Sequence, residues 1–314
     1  MRYNLIMTVR ELLQPFLVQQ ELPSTVGATD HDLAHLEASL QVKLPQEVRD
    51  LYLQANGMAL TSYLHLLPLQ DVLELAQAMT SYEVPGPWGL VPIFDDGQSN
   101  PVCVACHPPL KSCLIRVPHD DVKQIVDRNV VSCLHRLVAA PNLGDNLDEL
   151  PSPFAEPSRE PQDVEAARAL LAQADTLDEL SRRDALRFAF TLLGRDGVEI
   201  MTAFLTDADE EVRHSARVGL QELAAHVPQA AVALQHANAE RNRFAQECVR
   251  ILKAAGITTT FERKPWGPVV RVEPGAVSLN LDVFWLDRTQ PEFEERLVTR
   301  VRELQALKSK RPSR

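Results

Sequence analysis

The segment CVACH, residues 103–107, has the spacing by which two cysteine thioethers and an axial histidine hold a c-type haem. The same Cys-x-x-Cys pair is also the pattern of a redox dithiol, or of half a zinc site with Cys103, Cys106, His107 and Cys113 as ligands. The flanking residues argue against all three. In PVCVACH, Val102, Val104 and Cys106 alternate with Cys103 and Ala105, so an extended chain sends the two cysteines of the pair to opposite faces of a sheet. Small apolar residues, cysteine included, suit a buried strand. The sequence predicts a packed strand here, with no haem, no metal and no other cofactor.

Other candidate groups read the same way. His31 and His35 are four apart on a helical pattern, but no third ligand and no Glu after His31 accompany them, so an exposed helix face is expected. Asp95 and Asp96 precede Gly97, the composition of a turn rather than of an acid/base pair. His119, Asp120 and Asp121 are expected to cap a following helix, since no nucleophile lies near them. No phosphate-cradling glycine loop or nucleophile elbow occurs in the sequence. No catalytic set is expected, and the chain is not expected to be an enzyme. Trp266, in KPWGP, stands in a proline- and glycine-flanked turn and is either an exposed binding residue or a local core anchor.

The elements that must position these residues fall into several regions. Leu5, Ile6, Val9, Leu12, Leu13, Phe16 and Leu17 repeat at helical spacing, with Pro15 expected to kink or shorten that helix. Two short helices follow in residues 29–57, the first capped by Thr29 or Asp30, the second opened by Leu44-Pro45 and stopped by Asn56-Gly57. Short β-like runs at 63–69, 90–94, 101–106 and 112–117, with helices at 71–82 and 121–139, predict an α+β domain on an antiparallel sheet over residues 1–140. Residues 141–162, rich in proline, read as an exposed linker. Residues 163–256 read as helical throughout, and 257–314 as strands, a helix at about 292–307 and a basic tail.

Charge adds a bias. The 314 residues carry a net −11, with 9 Lys/Arg against 18 Asp/Glu in residues 1–150 and 11 against 8 in residues 257–314. A chain this acidic repels phosphate backbones, so nucleic acid is not an expected partner, whereas a basic protein is. MRYNLIMTVRELLQPFLVQQ has no uninterrupted apolar core, and no run approaches the ~18 apolar residues of a membrane span. A cytoplasmic protein with five reduced cysteines and no membrane contact is therefore expected.

Residues 29–57 resemble the opening helices of the SUKH superfamily, the Smi/Knr-type immunity and regulatory proteins, through Leu33, Leu36, Glu37, Leu40, Leu44, Pro45, Val48, Leu51, Tyr52, Asn56 and Gly57. Trp88, the run Leu90–Pro92, the turn Asp95-Asp96-Gly97, the strands around Cys103 and Leu114, and His119-Asp120 follow in the order of that family's sheet, so the resemblance spans roughly residues 25–135. Met58 after Asn-Gly, and Gln98-Ser99 in the acidic turn, depart from the pattern. The resemblance implies a non-enzymatic, protein-binding domain, and toxin neutralisation by direct binding is its most concrete form. Asp95, Asp96, Asp120 and Asp121 are the expected partner-binding residues on that domain, with Trp266 as a further candidate.

Within the helical region, the order Leu205, Asp207, Asp209, Val212, Arg213, Ala216 and Leu220 is similar to a HEAT repeat, with weaker copies around Arg187 and Arg243 at separations of 26 and 30 residues. Arg213 is expected to pair with Asp207 or Asp209. A regulatory scaffold that binds through residues 182–256, without any toxin, is the alternative function.

Overall fold

In the first helix, α1 (Val9–Gln19), Leu12 and Leu13 are fully buried, and the helix runs through Pro15. This computed structural model describes residues 7–19, 27–82, 84, 86–97, 100–119, 121–139, 147, 150–264, 267–273, 277–279 and 292–309. α2 (Asp30–Leu40) starts on a reciprocal cap: the Asp32 amide donates to Thr29 Oγ1 at 3.2 Å, and the Thr29 amide donates to Asp32 Oδ2 at 2.9 Å. Its stripe of Leu33, Leu36 and Glu37 is buried. α3 (Gln46–Gln54) follows Pro45 and buries Val48, Leu51 and Tyr52. The Tyr52 hydroxyl donates to the Leu67 carbonyl at 3.1 Å, which satisfies a polar group inside the core.

α3 ends at Gln54 with Ala55 extended at φ −150°, so Asn56-Gly57 lies beyond the helix end instead of forming a left-handed cap on it. Asn56 Oδ1 accepts the Leu69 amide at 2.9 Å, at the start of the helix Leu69–Ser81. Gly57, at φ 91°, lies where a Cβ would come within 2.8 Å of the Pro68 ring. The pair seats that helix against the end of α3.

The sheet of this region is a six-stranded antiparallel meander in chain order: β1 (Met58–Ala59), β2 (His65–Leu66), β3 (Leu90–Asp95), β4 (Val102–Ala105), β5 (Leu114–Arg116) and β6 (Gln124–Asp127). α4 (Leu69–Ser81) connects β2 to β3, and α5 (Val130–Ala139) follows β6. Val102, Val104, Cys106 and Leu114 join the core made with α1 to α5. Cys103, Ala105 and Ile115 are equally buried but point to the other face.

That second face is closed by helices further along the chain. α6 (Pro161–Gln173) and α7 (Glu179–Leu193) form a helical pair, and α7 packs on β6. Trp88 meets Phe188 edge to face, with ring centroids 5.2 Å apart. Burial on both faces explains why every residue of β4 is buried.

Two expectations differ here. The stretch expected as one helix over 121–139 begins instead as β6, because Ile125 and Asp127 are buried with a period of two, and α5 starts only where Asn129 Oδ1 accepts the Ser132 amide at 2.8 Å. His119 and Asp121 therefore lie in the loop before a strand and cap no helix. The second difference concerns residues 150–160 of the expected linker. Leu150 and Phe154 are buried, the Arg128 guanidinium lies 4.8 Å over the Phe154 ring, and Arg136 Nη1 donates to the Pro151 carbonyl at 2.7 Å.

The chain divides into two compact units, Met1–Asp196 and Gly197–Arg314, so the helices expected as one region are shared between them. In the second unit, α8 (Val198–Phe204), α9 (Glu210–Ala224) and α10 (Pro228–Ala254) precede a three-stranded antiparallel sheet of β7 (Thr258–Lys264), β8 (Gly267–Glu273) and β9 (Val277–Leu279), followed by α11 (Phe293–Ser309). Phe244, Cys248 and Leu252 of α10 pack with Val270, Val272, Phe293 and Leu297 in a separate core. Arg213 is buried, and its Nη1 donates to the Asp207 and Ala208 carbonyls at 2.7 and 3.0 Å, so it holds the acidic turn through backbone oxygens.

Candidate functional site

At one end of the meander, the β3–β4 and β5–β6 connections lie side by side, because β4 pairs antiparallel with both β3 and β5. The Val117 amide donates to the Pro101 carbonyl at 2.9 Å. Asp96 accepts the Asn100 amide at 3.2 Å and Asn100 Nδ2 at 2.9 Å, and Asn100 Oδ1 accepts the His119 amide at 3.2 Å. Asp96 is only 7% exposed, so its carboxylate is spent on tying these loops together. Asp95 ends β3 opposite His65 of β2 and is half-buried, while Asp121 is exposed in the second loop. The topology thus brings Asp95, Asp96 and Asp121 to one end of the sheet. Asp120 and Trp266 lie outside the described residues.

Asp121 also borders a cleft of about 840 Å³. One wall comes from the α4–β3 connection, with Tyr82, Val84 and Pro87, and the opposite wall from the start of α7, with Leu177, Asp178 and Leu180. Leu90, Val91 and Val117 line it from the sheet side. Tyr82 is 81% exposed and Leu180 67%. Large apolar groups held this far into water are the usual anchors of a protein contact. The Asp178 carboxyl caps α7 by accepting the Ser181 amide at 3.0 Å, and hydrogen bonding to Ser181 keeps its pKa below the ordinary value. Lys123, also in the cleft, is paired with Asp184 at 2.7 Å.

His107, the last residue of CVACH, reaches this cleft, with Nδ1 3.2 Å from the Pro87 carbonyl. Gly89, at φ 59°, leaves room for the imidazole: a Cβ there would approach His107 Cε1 to 2.8 Å. The cysteines stay behind it in the sheet. Burial pushes the Cys106 and Cys113 thiols up to about 12, and pushes Cys103 and Cys133 higher still, so these thiols are poor nucleophiles. Among the described residues, no three His, Cys, Asp or Glu side chains are grouped to hold a metal ion. His31 and His35 both lie on the exposed face of α2.

Sequence reasoning missed the charged residues that fasten α6 and α7 to the sheet. Arg128 Nε and Nη2 hold both carboxylate oxygens of the buried Asp163, with contacts of 2.8–3.1 Å. Arg136 Nε donates to the buried Asp127 at 2.8 Å. No periodic pattern announces such pairs, because their partners are 35 and 9 residues apart. Tyr82 and Leu180 were equally silent, since helical spacing says where an apolar face lies but not whether anything covers it.

No helix among the described residues is long and apolar enough to cross a membrane. No curated protein matches the chain. Residues 27–130 match the family model of the SMI1 / KNR4 family (SUKH-1), a span that opens just before α2, takes in the whole meander and ends at the first residue of α5. The first unit of this protein is therefore built around a SUKH domain.

Proposed function

We propose that this chain is a non-catalytic binding protein of the immunity type, which neutralises a basic toxin domain, a nuclease for example, by direct contact through the SUKH region. The observation that carries the reading is the cleft with Tyr82 and Leu180 exposed on its walls and Asp121 and Asp178 beside them. Apolar anchors with two carboxylates beside them suit a partner that inserts an apolar residue from a basic surface, and the acidic excess of residues 1–150 favours fast encounter with such a surface. Asp95 and Asp121 are assigned to the contact, with Asp120 as a further contact residue. Asp96 is assigned the shaping of the loops.

The test uses the full chain against a panel of purified basic nuclease toxin domains, with catalytic inhibition and stoichiometry as readouts. One domain inhibited at a one-to-one ratio, with inhibition weakened by salt and by Tyr82→Ala and Asp121→Lys, supports the proposal. Uninhibited activity across the panel, or inhibition that neither variant changes, removes it.

A further inference from the structure

His107 is fixed in the SUKH cleft from three sides and still has a ring nitrogen to spare. Its amide donates to the Trp88 carbonyl at 3.0 Å, its Nδ1 lies 3.2 Å from the Pro87 carbonyl, and a Cβ on Gly89 would come within 3.1 Å of Nδ1, Cε1 and Nε2 alike. Main chain and ring are thus both held by the single turn Gly86–Trp88, which the buried Trp88 anchors on Phe188. A carbonyl oxygen only accepts, so Nδ1 carries the proton and, in the neutral ring, Nε2 carries a lone pair. Among the described residues nothing bonds to Nε2, and His107 is exposed where it lines the cleft.

Other polar groups of the cleft are already engaged. Lys123 is paired with Asp184 at 2.7 Å, and Thr80 Oγ1 donates to the Ala76 carbonyl at 2.8 Å. Asp178 caps α7, and Asp121 Oδ1 accepts the Val122 amide at 2.7 Å, so these two carboxylates act on a partner chiefly through their charge. The cleft therefore combines apolar walls and negative charge with one oriented, unpaired acceptor.

We infer that a tryptophan side chain on the basic surface of the partner enters this cleft and donates its indole N–H to His107 Nε2, an inference that rests on the binding reading given above and specifies what is inserted. Indole is the large apolar group that donates and does not accept, which matches an acceptor set among Leu90, Val91 and Val117. Phenylalanine or leucine in its place would strip water from Nε2 and return no hydrogen bond. Tyr82, Pro87 and Leu180 offer flat and branched surfaces for the ring, and about 840 Å³ admits it together with the chain that carries it.

The test titrates fluorescein-labelled peptides with the full chain at about pH 8, where the imidazole is neutral. Each peptide sets one central residue between paired lysines, and that residue is tryptophan, tryptophan methylated on the indole nitrogen, or phenylalanine. The tryptophan peptide is expected to bind about fivefold tighter than the methylated one, the effect of one hydrogen bond. His107→Phe, which keeps a ring and loses the acceptor, brings the two level, and Leu180→Ala weakens both. The methyl comparison on the unaltered chain stands even if a variant misfolds. Equal binding of the tryptophan and methylated peptides overturns the inference, as does a preference that survives His107→Phe. Equal binding of the phenylalanine peptide also overturns it and makes the lysines the contact, and so does no binding up to about 1 mM. Toxin domains that stay uninhibited while the tryptophan preference holds would remove the toxin reading alone. A toxin inhibited equally well after its exposed tryptophans are changed to phenylalanine would remove this inference alone.

Discussion

Arg49 Nη1 lies 3.1 Å from Glu37 Oε1 and Arg49 Nη2 lies 2.7 Å from Asp30 Oδ1, so one guanidinium ties both ends of α2 to α3. Glu37 is buried, and it also accepts Lys43 Nζ at 2.9 Å and the Leu44 amide at 3.1 Å. A carboxylate in an otherwise apolar stripe thus sets the turn that ends in Leu44-Pro45. The SUKH-like order of Glu37, Leu44 and Pro45 has its physical reason in these bonds.

Burial by itself would raise the Glu37 pKa, but the bonds from Lys43, Arg49 and the Leu44 amide outweigh it and hold the carboxyl below its usual 4.5. A carboxyl depressed in the folded state stabilises fully above its unfolded pKa, and that contribution is lost as pH falls through the folded value. Glu37→Ala, which leaves Arg49 without this partner, is expected to cost about 3 kcal/mol at pH 7. Glu37→Gln should flatten the loss of stability below about pH 4.5. Urea unfolding of both variants from pH 3 to 7 measures this. An unchanged acid limb in the Gln variant would assign acid sensitivity to other carboxylates.

Asn56→Ala removes the side-chain acceptor at the start of α4 and should lower stability by about 1 kcal/mol. Gly57→Ala meets the Pro68 ring and a left-handed φ together, and should cost more than the Asn56 change. Thermal unfolding of the two variants gives the order. A milder effect at Gly57 would mean that Pro68 shifts without loss.

The pairing of Arg128 with Asp163 predicts that α6 and α7 are needed by the SUKH sheet. Asp163→Ala leaves Arg128 half-buried without its main partner and should destabilise the first unit by about 3 kcal/mol. A fragment ending at residue 196 should unfold cooperatively, whereas one ending at residue 160 uncovers Cys103, Ala105 and Ile115 and should bind a hydrophobic dye. Equal cooperativity of the two fragments would refute the role given to these helices.

Cys103 and Cys133 are fully buried, and their thiols are held protonated by burial. In the native protein at pH 8, a thiol reagent should modify them only at the rate of unfolding, and denaturant should release all five cysteines. Zinc analysis should find no stoichiometric metal. Rapid modification of Cys103 and Cys106 together, or retained zinc, would restore a chemical role to CVACH.

Much of the first unit was legible in the residues themselves. Alternation across PVCVACH determined which cysteine faces which layer, and the Thr29 cap and Leu44-Pro45 marked the helix starts through local backbone chemistry that short windows contain. The strand at Gln124–Asp127 was missed because a charged residue, Asp127, occupies a buried position where periodicity expects an apolar one. Tertiary structure alone decided that Arg136 neutralises it, that α7 covers the far face of the sheet, and that Asp96 is turned inward while Tyr82 and Leu180 are left to solvent. The division follows from range. Caps and pleats are set by neighbours within a few residues, whereas ion pairs such as Lys123–Asp184 and the walls of a cleft are set by segments that meet only after the chain has folded.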